Sequence, residues 1–293
     1  MRGGSYLGAT QWFAAKSGNE VLVAFSPGIA PCNYHESPKY QGGAFILQQN
    51  IVWALGTWKR NGAYDNTPFD TELLSNHLPL LDIDETAGLG EVPFWRKWLS
   101  HPCYDDYWRE FDLASFADRI KAPAFVWSGW FDIYTQGALD SFMLMRQSAG
   151  SEEARSLTRC VIGPWAHSEP AGEIPLGDGE FSRRKFVEEP EKAFLEARWK
   201  GEDPPPVEPL LYFMLGKNEW RTNRISIFTA QELPTHVSAT ESFPRFRLNR
   251  KCRIVSSAIR GILSRRLEDM ESAFPVDRMT SLRWNSGVMS LSI

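Results

Sequence analysis

Short continuous apolar runs alternate with longer amphipathic stretches in two parts of the chain. Buried strands are predicted at residues 21–25, 123–128 and 160–162, and helices at residues 5–17, 134–147 and 183–200. Gly18 ends the first of these helices, and a Ser-Pro-Gly turn ends the first strand. Strands that alternate with helices predict an α/β fold with a doubly wound parallel sheet.

Residues 30–115 interrupt this alternation. They contain helix-like stretches such as residues 45–58, and they are rich in tryptophan: Trp53, Trp58, Trp95, Trp98 and Trp108. An insertion of this kind between sheet strands is typical of a helical cap. We therefore expect a core formed by residues 1–29 and 116–203, with a helical cap at residues 30–115.

The chain changes character after residue 203. A Pro-rich linker at residues 203–207 leads into an apolar run at residues 210–215, which predicts the start of a further β domain at residues 204–221. Residues 222–293 carry a net charge of +5, against −9 for residues 1–221. We interpret this basic tail as out-of-frame or disordered sequence. A nucleic-acid-binding arm is the alternative, but Phe243, Phe246 and Leu248 form no clear aromatic platform.

Net charge, apolar runs and cysteine spacing indicate which kinds of partner and which cell compartment to expect. The 293 residues carry a formal net charge of −4, which predicts no general attraction to nucleic acid or to acidic membranes. The chain has no run of about 18 apolar residues and no apolar stretch typical of a signal peptide. Its four cysteines lack metal-ligand spacing and favour reduced thiols. We expect a cytoplasmic protein without a nucleic-acid or membrane partner, and homo-oligomerisation stays open.

A serine lies in a glycine-rich turn near the start of the chain, in Gly3-Gly4-Ser5-Tyr6-Leu7-Gly8. A nucleophile elbow needs small neighbours because its serine occupies a strained strand-to-helix turn. Gly3 fits the usual G-x-S-x-G pattern, but the second glycine comes one residue late, at Gly8. A helix N-cap is the alternative role for Ser5, and the motif alone does not decide between the two.

Asp132 and His167 each follow a predicted strand, where parallel sheets present their ligand-facing ends. Taken alone, Asp132 is more typical of a helix N-cap and a lone histidine is more often structural. Of the five histidines, however, only His167 completes the order serine, aspartate, histidine with a strand in front of it. That order is the one found in α/β-hydrolase triads.

Three motifs together resemble one family. They are Gly-Gly-Ser-Tyr-Leu-Gly-Ala-Thr-Gln-Trp at residues 3–12, Gly-Trp-Phe-Asp at residues 129–132 with Gly137 following, and Gly-Pro-Trp-Ala-His-Ser at residues 163–168. In this order they are similar to the X-Pro dipeptidyl-peptidase and cocaine esterase family, also called CocE/NonD-type hydrolases. The resemblance covers residues 3–220, and residues 216–220 resemble the segment that opens the family's C-terminal jelly roll.

The resemblance implies a role for each motif. Ser5 would be the nucleophile, His167 the general base and then acid, and Asp132 its orienting partner. The backbone N–H of Tyr6 would be an oxyanion donor. Tyr134 would lie in the substrate pocket, and so would the motif tryptophans Trp130 and Trp165. The implied substrate is a small-molecule ester or amide or a short peptide, and no metal or organic cofactor is implied.

The chain departs from the family at both ends. In the family, much of the sheet precedes the nucleophile, including a tyrosine that completes the oxyanion hole. We therefore expect a partial α/β-hydrolase fold, truncated at both ends, in which the nucleophile strand itself lacks residues. Little or no turnover is expected from this chain, and the alternative is a non-catalytic fragment with at most a binding role. Peptidase, esterase and acylase specificity stay open.

Overall fold

The computed structural model describes residues 1–61, 69–167, 181–223, 283–285 and 288–290. Its strands are β1 (Arg2–Gly4), β2 (Ser26–Gly28), β3 (Tyr40–Gln41), β4 (Ala44–Phe45), β5 (Phe125–Phe131), β6 (Arg159–Ala166), β7 (Leu210–Met214), β8 (Glu219–Asn223), β9 (Arg283–Asn285) and β10 (Val288–Ser290). Its helices are α1 (Tyr6–Ala15), α2 (Leu47–Asn61), α3 (Thr71–Ser75), α4 (Ile83–Thr86), α5 (Pro93–Ser100), α6 (Asp106–Arg109), α7 (Thr135–Ser148), α8 (Glu152–Leu157) and α9 (Glu189–Trp199).

Among the described residues, six strands form the central sheet, in the order β1-β2-β5-β6-β7-β8. The first five run parallel to one another, and β8 is antiparallel to β7. The predicted mostly parallel α/β sheet is therefore confirmed. The short β1 strand pairs with β2 from Arg2↔Ser26 to Gly4↔Gly28, so the expectation that the strand before Ser5 lacks residues is wrong.

Helices cover both faces of this sheet. Because successive side chains of a strand point to opposite sides, one strand contributes to two apolar clusters. Val126 of β5 packs in one apolar cluster with α1 and with Phe142 of α7. Its neighbours Phe125 and Trp127 pack in another cluster, which includes Phe194 of α9. Burial on both faces explains why the β5 segment is continuously apolar rather than alternating.

Two predicted strands differ from the observed ones. Val21 is 83% exposed and Val23 37%, and the strand is instead Ser26–Gly28, which the apolar pattern did not indicate. Gln11 of α1 bonds both the N–H and the carbonyl of Ser26, each at 3.0 Å, so this polar strand is satisfied in the interior. The β7 strand pairs with β6 inside the core sheet. The expected start of a jelly roll at residues 204–221 is therefore not confirmed and stays a prediction.

The segment predicted to be a cap contains helices α2 to α6 around an apolar cluster of its own. Among its fully buried side chains are Ile51 and Leu55 of α2, Ile83 of α4 and Trp95 of α5. Arg96 makes two hydrogen bonds with the buried Asp84 carboxylate, at 2.9 and 3.2 Å, which tie α5 to α4. This part of the chain thus has its own core.

The chain divides into two compact units, Met1–Pro234 and Thr235–Ile293. In the second unit the structure describes β9 and β10, which form an antiparallel pair. Most of the basic segment at residues 222–293 lies outside the described residues, so its interpretation is untested. Within the described ranges, no helix combines the length and apolar character needed to cross a bilayer.

The cysteines differ from one another. Cys32 and Cys160 are free and buried, and burial raises the pKa of both thiols. Cys103 is disulfide-bonded, so the expectation of four reduced thiols is wrong at this position. Cys252 lies outside the described residues.

Candidate active site

Three polar side chains each follow the carboxyl end of a parallel strand. Ser5 comes directly after β1, Asp132 directly after β5, and His167 directly after β6. Because the carboxyl ends of parallel strands meet at one edge of the sheet, the topology brings residues far apart in sequence together. The structure brings the side chain of His167 into contact with those of both Ser5 and Asp132.

Ser5 lies in a strained turn between β1 and α1. Its φ of 58° and ψ of −127° lie in a region that non-glycine residues rarely occupy. The N–H of Ser5 donates to the carbonyl of Gly28 at 3.0 Å, which holds the turn against β2. Its side chain makes no capping hydrogen bond to α1. The alternative role of Ser5 as an N-cap therefore does not describe the observed geometry.

Gly8 is a point of close approach between α1 and β2. A Cβ atom at this position would lie 2.6 Å from the carbonyl oxygen of Gly28 and 2.9 Å from the Cβ of Ala30. The late glycine of the motif thus lets the helix pack directly on the strand. This contact holds the first turn of α1, which follows Ser5 directly, against β2.

Asp132 uses its two carboxylate oxygens for different partners. Oδ1 accepts the backbone N–H of Tyr134 at 2.7 Å, as a turn-forming aspartate does, and Oδ2 lies 2.7 Å from Nδ1 of His167. Its side chain is fully buried, and its N–H donates to the carbonyl of Gly129 at 2.9 Å. The β5–β6 pairing shifts register between Gly129 and Phe131, just before this residue.

His167 bridges the other two residues. Its Nδ1 faces Asp132, and its Nε2 lies 2.9 Å from Oγ of Ser5. The edge of the Tyr134 ring packs against the imidazole, with the ring centroids 5.4 Å apart. In the tautomer that donates from Nδ1 to Asp132, Nε2 is free to accept the serine proton. This arrangement can convert a weakly nucleophilic hydroxyl into an attacking alkoxide.

The first turn of α1 offers a donor beside the serine. Tyr6 is the first residue of α1, and the N–H groups of a first helical turn have no acceptor within their own helix. The Tyr6 side chain is 60% exposed and lies near Trp53, with 6.2 Å between the ring centroids. The Tyr6 N–H thus follows Ser5 directly and has no acceptor within α1, and its role as an oxyanion donor stays a prediction.

A narrow cavity opens next to Ser5. Its lining combines the α1 turn with residues of the predicted cap and with the loop after Asp132: Ser5, Tyr6, Ala9, Pro31, Tyr34, Pro38, Lys39, Gln49, Asn50, Trp53, Trp98 and Tyr134. Tyr134 is almost fully buried, and burial together with the Asp132 carboxylate raises its pKa to about 12. Its phenol therefore stays protonated and neutral across the physiological range.

Trp130 and Trp165 lie outside the lining of this cavity. The indole N–H of Trp130 donates to the carbonyl of Phe213, and that of Trp165 donates to Phe181, each at 2.6 Å. Trp165 is buried in the cluster beside α9. These contacts give the two tryptophans packing roles, and their expected place in the substrate pocket stays a prediction.

Several lining residues carry no motif that sequence could reveal. Lys39, Gln49 and Asn50 belong to the segment predicted as a cap, for which the sequence predicted no site residue. Their position depends on how that segment folds over the sheet edge. In the part of the chain that the structure describes, no group of three or more His, Cys, Asp or Glu residues is arranged to hold a metal ion.

Comparisons with known proteins agree on one family. The family model described as X-Pro dipeptidyl-peptidase (S15 family) matches residues 1–169, more than half of the chain. Among curated proteins, the cocaine esterase of Rhodococcus sp. (strain MB1 Bresler) is 28% identical over 241 residues. That alignment covers 75% of this chain and 41% of the esterase.

Solved structures share the fold. An aminopeptidase from the marine sediment archaeon Thaumarchaeota archaeon and an α-amino acid ester hydrolase each align with a TM-score of 0.61, at 21% and 24% identity respectively. Each alignment covers 76% of this chain and 38% of the other protein. The chain thus spans about two fifths of the length of the relatives that it matches.

Proposed function

Because the chain belongs to the X-Pro dipeptidyl-peptidase (S15) family, we propose that it is a serine hydrolase that cleaves an ester or amide bond. The observation that carries this proposal is the contact of His167 with both Ser5 and Asp132, at 2.9 and 2.7 Å. These distances are within the reach that proton transfer between a nucleophile and its base requires.

In the proposed mechanism, Oγ of Ser5 attacks the substrate carbonyl while Nε2 of His167 takes its proton. Asp132 holds the imidazole through Nδ1 and stabilises its positive charge. The protonated His167 then donates to the leaving alcohol or amine, which leaves an acyl group on Ser5. A water molecule that gives its proton to His167 attacks this ester, and His167 returns that proton to Oγ of Ser5 as the acid leaves.

The tetrahedral intermediates need donors for their oxyanion. The backbone N–H of Tyr6 supplies one of them in our proposal. In known hydrolases the removal of one oxyanion donor costs about 10²–10³ in kcat.

The segment at residues 30–115 acts as the cap in this proposal, because Lys39, Trp53 and Trp98 of that segment line the cavity beside Ser5. The aromatic lining favours a substrate with an apolar acyl group. The relatives are named as an esterase, an aminopeptidase and an α-amino acid ester hydrolase. We therefore propose small-molecule esters or amides and short peptides as the substrate class.

The test compares wild type with Ser5→Ala on p-nitrophenyl acyl esters, together with labelling by a fluorophosphonate that reacts with activated serines. We expect turnover and a single adduct on Ser5 in the wild type, and neither in Ser5→Ala. Fluorophosphonate labelling detects an activated serine even where turnover is slow.

Ser17→Ala, an exposed serine just after α1, is the matched control and should behave as wild type. Turnover that survives Ser5→Ala, or a wild type that is neither labelled nor active, would contradict the proposal. The second result would favour a non-catalytic protein with at most a binding role.

A further inference from the structure

Lys39 is a buried lysine for which the structure provides no acidic partner. The residue is 2% exposed, and its Nζ donates to Oδ1 of Asn50 at 2.8 Å. Nζ also lies over the faces of Trp98 and Trp53, 3.5 and 5.0 Å from the ring centroids. No Asp or Glu among the described residues forms an ion pair with it.

This lysine lines the same cavity as Ser5. Lys39 is the one ionisable cation in the described lining. The same lining contains no acidic residue, so no anion balances the charge of this lysine. The faces of two indoles attract an ammonium group, but they neutralise no charge. Burial lowers the pKa of Lys39 well below its usual range. An incoming anion would supply the opposite charge that the cavity lacks.

The ammonium group is not what holds the local backbone. The carbonyl of Lys39 accepts the N–H of Ile46 at 2.9 Å, and Asn50 donates to the carbonyls of Pro38 and Ile46 at 2.9 and 2.8 Å. These contacts do not involve Nζ. Since almost all buried lysines are paired, an unpaired one at a cavity wall points to a ligand.

We propose that Lys39 determines substrate specificity by binding a carboxylate on the part of the substrate that occupies the cavity. The preferred substrates are esters or amides that also carry a carboxylate, such as hemi-esters of dicarboxylic acids. Substrates whose corresponding part ends in an ammonium group are disfavoured, because the described lining offers that group no acidic partner. This inference rests on the proposed hydrolase function.

The kinetic test uses three 4-nitrophenyl esters of similar length, which differ at the far end of the acyl chain. They are the mono-adipate with a carboxylate, the heptanoate with a methyl group and the 6-aminohexanoate with an ammonium group. We expect wild type to have the highest kcat/KM for the mono-adipate. Lys39→Met should reduce the preference for the mono-adipate over the heptanoate, as the ratio of their kcat/KM values, by about tenfold or more, since a charge-assisted hydrogen bond is lost. Lys39→Arg should retain part of this preference.

A binding measurement separates this inference from the proposed function. Calorimetry on Ser5→Ala compares adipate with its monomethyl ester, and we expect tighter binding of adipate that is lost in Ser5→Ala combined with Lys39→Met. This readout does not require turnover, so an inactive wild type would overturn the hydrolase proposal without deciding the role of Lys39.

Lys16→Met is the matched control, because Lys16 also lies over an aromatic ring, 5.1 Å from the centroid of Phe116, but outside the cavity. Lys16→Met should leave unchanged both the kinetic preference for the mono-adipate and the tighter binding of adipate. The inference is overturned if Lys39→Met keeps the wild-type preference and the tighter binding of adipate, or if wild type prefers the ammonium ester.

Discussion

At the scale of single residues, Asp132 shows why sequence left two roles open for it. The N-cap-like role and the histidine-orienting role are both compatible with the geometry, because each uses a different carboxylate oxygen. A carboxylate can accept several hydrogen bonds at once, so one residue can order the loop before α7 and hold His167. Ser5 differs, because its backbone conformation leaves the side chain with His167 rather than with the helix end.

Lys39 also makes a prediction about stability at this scale. Its pKa is lowered in the folded chain by burial, so between that pKa and the usual lysine value of about 10.4 the unfolded chain binds more protons. The stability of the wild type should therefore rise with pH across this window, relative to Lys39→Met, by up to about 1.4 kcal/mol per pH unit. Urea unfolding from pH 7 to pH 10 measures this difference.

Lys16→Met is the control for the comparison of wild type with Lys39→Met, because it also removes one titrating lysine from the unfolded chain. The groups that face Lys39 are Asn50, Trp53 and Trp98, none of which titrates in this range. A difference between wild type and Lys39→Met that stays constant with pH would show that the folded chain holds this lysine as well solvated as water does.

At the scale of elements, a helix that follows a predicted apolar strand was predictable and a polar strand was not. The expected helix at residues 134–147 corresponds to Thr135–Ser148, whereas the expected strand at residues 21–25 is displaced to Ser26–Gly28. That strand is specified by its neighbours, since β1, β5 and Gln11 supply its hydrogen bonds. Apolar periodicity does not detect such a partner.

The packing of α1 on β2 leads to a prediction. Gly8→Ala should lower the free energy of unfolding by about 1–3 kcal/mol, because the added methyl group would overlap the Gly28 carbonyl and push the helix off the strand. Gly56→Ala is the same substitution inside α2, where an added Cβ meets nothing within 4 Å, and it should be neutral or stabilising by up to about 1 kcal/mol. Equal urea midpoints for the two variants would refute the close-packing argument.

At the scale of the whole molecule, a sheet with helices on both faces brings Ser5, Asp132 and His167 to one edge. One of its cores joins α1, the central strands and α7, so the positions of the three side chains depend on a shared apolar cluster. The segment with α2 to α6 has a separate cluster, and it completes the cavity with Lys39 and two tryptophans.

The shared core can be tested at Phe142, which is fully buried between α7 and the sheet. Phe142→Ala should lower the free energy of unfolding by about 3–5 kcal/mol, through lost burial and the cavity left behind. Val52→Ala, at a half-exposed position of α2, should change it by less than about 1 kcal/mol. Urea unfolding followed by circular dichroism compares the two. Similar losses in both variants would mean that the cluster around Phe142 does not stabilise the fold as its burial implies.

Local sequence determined the alternation of strands and helices, the order of Ser5, Asp132 and His167, and the family, because these depend on short-range pattern and motif spacing. Tertiary structure alone decided which polar side chains meet, since contacts such as that between Ser5 and His167 join residues 162 positions apart. It also decided that the β7 strand belongs to the core sheet, that the indoles of Trp130 and Trp165 hydrogen-bond to Phe213 and Phe181, and that Lys39 lies buried in the lining of the same cavity as Ser5. These outcomes follow from long-range packing and hydrogen bonding, which local pattern does not encode.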